Sequence, residues 1–149
     1  MHPTPLDADL DHRTGAPRSA PTADRSVTVL RALLGVAVAV SIVHYVDNTA
    51  RYDDYVQGVS TPVARWMVPA GWILFTAAGV AGLLLYERGR YGPAAGLLAF
   101  YSVSGLIGFA HYQSISPTDF DTVQNTFIVL DIACGASILA FAIWTAVRR

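Results

Sequence analysis

The stretch that decides the fold is residues 27–46, VTVLRALLGVAVAVSIVHYV, in which Arg31 is the only charged residue. At about 1.5 Å per residue, twenty helical residues cover about 30 Å, which is the thickness of the hydrocarbon core of a bilayer. Arg31 lies near the start of the stretch, where a long side chain can extend to the lipid headgroups. This stretch is therefore predicted to be a transmembrane helix.

Three further apolar stretches follow along the chain, each long enough to cross a bilayer. They cover about residues 66–86, 93–112 and 122–147, so that the four spans form one domain from 27 to 147. Helices of this length satisfy their own backbone hydrogen bonds inside a membrane. The predicted fold is an all-α integral membrane protein, a four-transmembrane-helix bundle.

The composition of the whole chain supports a membrane protein and excludes several other classes. Of the 149 residues, 53% are hydrophobic and 14% are charged, and the mean hydropathy is +0.41. Four spans leave no room for a separate soluble catalytic domain. The net charge of -1 argues against a nucleic-acid partner, because phosphate binding needs a clustered basic surface. Cys134 is the only cysteine, which excludes an intrachain disulfide and a cysteine-based zinc site.

The segment before the first span has a different composition. Its first 25 residues hold four Pro, four Asp and three Arg and almost no large apolar residue, so they cannot bury enough surface to offset the entropy of ordering. Residues 1–26 are predicted to form a disordered cytoplasmic tail.

The arginines indicate the orientation, because cytoplasmic loops retain basic residues. The tail, the second connection and the C-terminus hold Arg13, Arg18, Arg25, Arg88, Arg90, Arg148 and Arg149. The first connection offsets Arg51 and Arg65 with aspartates, and the third has no basic residue. Both termini are therefore predicted to be cytoplasmic, in a protein of the plasma membrane. The first connection, with Tyr52 and Tyr55, is expected to be a solvated linker. The alternatives are that it folds back as an interfacial helix or binds a cation.

Two segments of the sequence resemble each other at an offset of 67 residues. The pairs are His44-Tyr45 with His111-Tyr112, Asp54 with Asp121, and Val56-Gln57 with Val123-Gln124. The resemblance predicts two tandem helical hairpins, related by a pseudo-two-fold axis along the membrane normal. Chance similarity between two helix ends is the alternative.

Small and polar residues recur at helical spacing on three spans, and each stripe is expected to face the bundle interior. The stripes are Ala37, Ser41, His44 and Asn48; Ser104, Gly108 and His111; and Gln124, Asp131, Gly135 and Ala142. Pairs of small residues four apart also permit close helix contact, within one chain or between two. These pairs are Ala78 and Gly82, Gly92 and Gly96, and Ser104 and Gly108.

The two histidines of the repeat are candidate ligands. His44 and Asp47 can lie on one helix face, and the repeat puts His111 at the same depth. Opposed histidines in a bundle suit haem, and histidine with carboxylate suits zinc, iron or copper. His44 and His111 are thus candidate haem ligands, and with Asp47 candidate ligands of a transition metal. The alternatives are that each imidazole bridges helix ends near the membrane surface, or that it relays protons.

Asp131 is the other anomaly, because it lies about 13 Å along the fourth helix from its outer end. A carboxylate inside a membrane is costly and indicates a functional site. With Ser41 and Ser104, Asp131 is predicted to form either a proton relay or a polar packing contact. Tyr101 and the histidines are its other candidate partners.

The sequence favours a small membrane protein that acts as an assembly or interaction module, with an interior polar cluster near the extracytoplasmic face. Its partners would be the lipid bilayer and a second copy or another membrane protein. The alternatives are a haem- or metal-binding membrane protein that uses His44 and His111, and a small proton-coupled transporter that uses Asp131. No catalytic constellation is recognisable, so an enzyme is the least favoured class.

Overall fold

The computed structural model describes residues 21–57 and 63–149, and in these residues the chain consists of helices and short connections. The helices are α1 (Pro21–Ala50), α2 (Tyr52–Tyr55), α3 (Met67–Glu87), α4 (Tyr91–Leu106), α5 (His111–Ser114) and α6 (Thr122–Arg148). A 3-10 turn, Ile107–Ala110, joins α4 to α5.

Four helices of the bundle are long and apolar enough to cross a membrane, as predicted. They comprise Arg25–Ala50, Met67–Glu87, Tyr91–Gln113 and Thr122–Arg148. Helix α1 begins at Pro21 rather than at Val27, so part of the segment assigned to the tail is helical. The rest of that tail prediction, residues 1–20, lies outside the described residues.

The four long helices form a closed ring of neighbours. Helix α4 packs against α3 and α6, and α1 packs against the same two helices from the other side. The α4–α6 contact is close because glycines face each other: a Cβ at Gly135 would lie 2.8 Å from the Ser102 carbonyl oxygen. A Cβ at Gly105 would overlap the Asp131 carbonyl oxygen. Only glycine permits backbones to approach this closely.

The interior divides into two regions along the bundle axis. One region is an apolar core that includes Leu30, Leu34, Ala37, Tyr86, Leu98 and Ile138. It lies toward the α3–α4 turn at residues 88–90, which we name the turn end. The opposite end, formed by residues 51–57, 63–66 and 114–121, is named the connector end. A smaller core of Tyr55, Phe120 and Ile128 lies there.

The predicted polar stripes face the interior, as expected. Ser41 is 1% exposed, His44 is 3% exposed and Asp131 is 2% exposed, whereas the outer surface carries large apolar side chains. The most exposed of these include Val36, Val46, Ile73, Leu74 and Val147. Apolar residues outside and polar residues inside are consistent with a helical membrane bundle.

Candidate functional site

His44 and His111 lie side by side near the connector end of the bundle. Their ring centroids are 5.7 Å apart in an edge-to-face arrangement. Asn48, one turn beyond His44 on α1, brings its Nδ2 to 3.3 Å from Nε2 of His111. The Nδ1 atom of His44 is buried and has no hydrogen-bond partner among residues 21–57 and 63–149.

Tyr55 covers the two histidines. The short helix α2 folds back over the end of α1, so that Tyr55 is only 2% exposed. Its ring centroid lies 4.9 Å from that of His111 and 6.0 Å from that of His44. Phe120 completes the packing at 5.6 Å from the Tyr55 ring. We name His44, Asn48, Tyr55, His111 and Phe120 the histidine cluster.

A second network, the charge bridge of Asp47, Arg51 and Asp121, closes the connector end. Arg51 Nε donates to Asp47 Oδ1 at 2.8 Å, one helical turn away. The same guanidinium bonds Asp121 through Nη1, which ties the end of α1 to the start of α6. The Tyr55 hydroxyl donates to the other Asp47 oxygen at 2.7 Å. Tyr55 therefore joins the charge bridge to the histidine cluster.

The charges of this network reinforce one another. Hydrogen bonds to Asp47 and then Asp121 raise the pKa of Arg51. The Gln124 backbone N–H, followed by Arg51, lowers the pKa of Asp121. Burial, followed by the hydrogen bond to Asp47, raises the pKa of Tyr55. At neutral pH Arg51 and Asp121 are therefore ionised, and Tyr55 remains a neutral hydrogen-bond donor.

Asp121 also caps the N-terminus of α6. Its Oδ1 accepts the Gln124 N–H at 2.8 Å, and its own N–H donates to Gln124 Oε1 at 3.1 Å. This reciprocal pair is a capping box, which satisfies two backbone donors that the first helical turn leaves free.

Asp131 lies deeper in the bundle than the histidine cluster and is only 2% exposed. Its Oδ2 atom is buried without a hydrogen-bond partner in the described part of the chain.

The two serines predicted to accompany Asp131 are both buried. Ser41 Oγ donates to the Val38 carbonyl at 3.0 Å and accepts from Trp72 Nε1 at 3.0 Å. The Ser104 backbone carbonyl accepts from the Tyr45 hydroxyl at 3.3 Å. Within residues 21–57 and 63–149, neither serine hydroxyl bonds the Asp131 carboxyl.

The predicted ligand set is only partly brought together. His44 and His111 are neighbours, but both Asp47 oxygens are engaged by Arg51 and Tyr55. Within residues 21–57 and 63–149, no group of three or more His, Cys, Asp or Glu side chains is arranged to hold a metal ion. The Tyr55 ring packs against both histidines.

Sequence reasoning missed the part of the site that comes from the first connection. That segment was expected to be a solvated linker, which is wrong for Tyr55, because this residue is 2% exposed. The alternative of a folded-back helix fits the short helix α2 better. The available signal was the spacing of Asp47 and Arg51, which are one helical turn apart and extend α1 beyond its apolar stretch. Nothing local indicated that Tyr55 would be buried by residues more than fifty positions away.

Comparisons with protein-family models, with curated protein sequences and with solved structures gave no significant match.

Proposed function

We propose that the chain is inserted in the plasma membrane with four spans and with both termini in the cytoplasm. The apolar exterior and the length of the four helices support insertion. The arginines at the turn end support the orientation, because basic residues are retained on the cytoplasmic side. The histidine cluster and the charge bridge then lie near the extracytoplasmic face.

In this membrane the chain acts as an assembly module that associates with a second copy of itself. The observation that carries this proposal is that the polar groups of the connector end are bonded largely to one another. Arg51 holds two carboxylates, Tyr55 holds Asp47, and Asn48 contacts His111. Such a network fixes the relative positions of α1, α2, α5 and α6, so that a rigid outer surface is presented to partners.

Helix α4 offers the surface on which association is best tested. A Cβ at Gly92 or Gly96 would meet nothing within 4 Å in the chain, and both glycines are exposed. Other glycines, in contrast, have no room for a Cβ because neighbouring helices pack against them. These are Gly79, Gly82, Gly105, Gly108 and Gly135. Helices in membranes associate through small residues because their backbones can then approach closely.

The test is single-molecule photobleaching of the labelled protein in bilayers over a range of protein-to-lipid ratios. The wild type is expected to form dimers. The Gly96→Leu variant is expected to be mostly monomeric. Gly35→Leu on α1 is the matched control, because its Cβ also meets open space. A wild type that stays monomeric at every ratio would contradict the proposal, as would equal effects of the two variants.

The two halves of the bundle are proposed to be tandem hairpins. The neighbouring positions of His44 and His111, which the offset of 67 residues pairs, support this relation. The pair Asp54 and Asp121 does not add support, because Asp54 lies exposed in α2 whereas Asp121 caps α6.

A second candidate function is proton transfer at Asp131, which its buried and unpartnered Oδ2 atom favours. In vesicles that contain a pH-sensitive dye, the wild type is expected to pass protons and Asp131→Asn is expected to lose the flux. If the role is packing instead, Asp131→Asn will be nearly silent and Asp131→Leu will lower the unfolding temperature. A wild type without proton flux would eliminate this candidate.

A further inference from the structure

The turn end of the bundle brings arginines from three parts of the chain to one surface. Tyr86, at the end of α3, donates to Ser26 Oγ near the start of α1 at 3.0 Å. Arg149, at the end of α6, reaches the same Ser26 Oγ at 3.3 Å. The start of α1, the α3–α4 turn and the end of α6 therefore meet. Their arginines are Arg25, Arg31, Arg88, Arg90, Arg148 and Arg149.

Among the described side chains, Arg149 contacts two aromatic rings and Ser26 rather than an acid. Its guanidinium carbon lies 5.2 Å from the centroid of Tyr91 and 5.7 Å from that of Trp144. Stacking on aromatic faces orients a guanidinium and leaves its edge donors available for an anion. Tyr91 opens α4 and Trp144 lies in the last turns of α6, so this contact also belongs to the turn end.

The two ends of the bundle differ strongly in charge. Among residues 25–57 and 63–149, Glu87 is the only acid at the turn end, and it pairs with Arg31 at 2.8 Å. The connector end has the opposite balance, with Arg51 and Arg65 against five aspartates. These aspartates are Asp47, Asp53, Asp54, Asp119 and Asp121. Counting Asp24 by its sequence position still leaves arginine in clear excess at the turn end.

Exposure adds to this asymmetry. Arg25, Arg88, Arg90, Arg148 and Arg149 are all exposed, and the Arg31 side chain is 62% exposed. Exposed guanidinium groups can bind phosphate with two parallel hydrogen bonds, a geometry that a lysine ammonium does not offer. Tyr91 and Trp144 supply the amphipathic rings that favour the headgroup region.

We propose that the turn end binds the headgroups of anionic phospholipids. The surface combines a cationic excess with interfacial aromatic rings at the end of helices whose sides are apolar, which matches a phosphate above acyl chains. The proposal rests on the proposed insertion in a membrane. Each arginine near an anionic surface strengthens the attraction between the protein and the lipid. Arg88 and Arg90 of the α3–α4 turn are exposed, so we use them to test this attraction.

The experiment uses the full chain purified in a non-ionic detergent and measures its unfolding temperature. Phosphatidylglycerol and phosphatidylcholine with the same acyl chains are added at equal concentrations. Phosphatidylglycerol is expected to raise the unfolding temperature more than phosphatidylcholine does. The double variant Arg88→Gln and Arg90→Gln is expected to lose about half of this difference or more, whereas Arg65→Gln at the connector end keeps it.

Three outcomes would overturn the proposal: equal effects of the two lipids, equal loss in the Arg65→Gln control, or the same stabilisation by inorganic phosphate alone. Retention of the chain in membranes after an alkaline wash is measured in parallel. A chain that stays in the membrane but does not distinguish the lipids leaves the proposed insertion intact and removes only the lipid site. A chain that is washed off contradicts the insertion itself.

Discussion

The Tyr55 side chain contacts the two histidines with its ring and Asp47 with its hydroxyl. Both contacts are needed to explain why an aromatic residue with a polar end occupies this position. Phenylalanine would fill the same space but would leave one Asp47 oxygen without its buried donor. Buried tyrosines generally find a hydrogen-bond partner for this reason.

We therefore predict that Tyr55→Phe lowers the free energy of unfolding by about 1.5 kcal/mol, the low end of the range for a hydrogen bond to a charged group. The low end applies because Asp47 keeps its contact with Arg51. Thermal unfolding in detergent measures the change. Tyr52→Phe on the same short helix is the control, because its hydroxyl donates to the Val63 carbonyl near the surface rather than to the Asp47 carboxylate. A Tyr55→Phe variant as stable as the wild type would show that the hydroxyl contact contributes nothing.

The residues of the site differ in how far the sequence predicted them. His44, Asn48 and Asp131 lie on helical stripes of polar residues, and their spacing alone predicted that they face the interior. Tyr55 belongs to a helix of four residues, which is too short to show a periodic pattern. Its burial depends on contacts with His111 and Phe120 from a distant part of the chain, and a local pattern carries no information on such contacts.

At the level of elements, the N-terminus of α6 depends on Asp121, which both caps the helix and pairs with Arg51. Its pKa in the folded chain is below the ordinary value of 3.8. A carboxyl group with a lowered pKa contributes stability that is fully present above its unfolded pKa and is lost as the pH falls through the folded pKa. The contribution of Asp121 should therefore persist at neutral pH and disappear only in acid below about pH 4.

Asp121→Asn isolates this charge, because asparagine remains a good helix cap. We predict that the wild type unfolds at a higher temperature than Asp121→Asn at pH 7, and that the difference vanishes as the pH falls below 3.8. Asp54→Asn, at the position paired by the offset of 67 residues, serves as the exposed control. A difference between wild type and Asp121→Asn that grows in acid would contradict the assignment.

The crossing of α4 and α6 is the other element on which the bundle depends. The Gly105→Ala variant would push a methyl group into the Asp131 carbonyl oxygen, which belongs to helix backbone and cannot rotate away. We predict a loss of about 3 kcal/mol in the free energy of unfolding, the upper end of overpacking costs. Gly92→Ala on the same helix meets open space and should be neutral or slightly stabilising. Equal stabilities for the two variants would contradict this helix contact.

The sequence predicted the helices better than their ends. The apolar stretch at 27–46 predicted one span, but α1 extends to Ala50. The ion pair between Asp47 and Arg51 lies at the C-terminal end of this helix. Length and apolarity report where a helix can cross a bilayer. They do not report polar turns that continue the helix beyond the apolar stretch, because these turns depend on side-chain pairs and on contacts with other elements.

On the scale of the whole molecule, the interior is polar toward one end and apolar toward the other. The apolar core of Leu30, Leu34, Leu98 and Ile138 separates the Asp131 region from the arginines of the turn end. The histidine cluster and charge bridge lie on the other side of Asp131. The polar interior therefore approaches the surface at the connector end. If the chain is inserted as proposed, its orientation decides which compartment this end faces.

The orientation can be tested by labelling single cysteines with an impermeant thiol reagent on intact cells, in a Cys134→Ser background. Thr118→Cys probes the connector end, where Thr118 is exposed. Arg88→Cys probes the turn end, where Arg88 is exposed between α3 and α4. Gly89 is unsuitable because its φ of 74° favours glycine. With both termini cytoplasmic, Thr118→Cys should react on intact cells and Arg88→Cys only after permeabilisation. The reverse pattern would place the histidine cluster at the cytoplasmic face and overturn the orientation that the arginines predict.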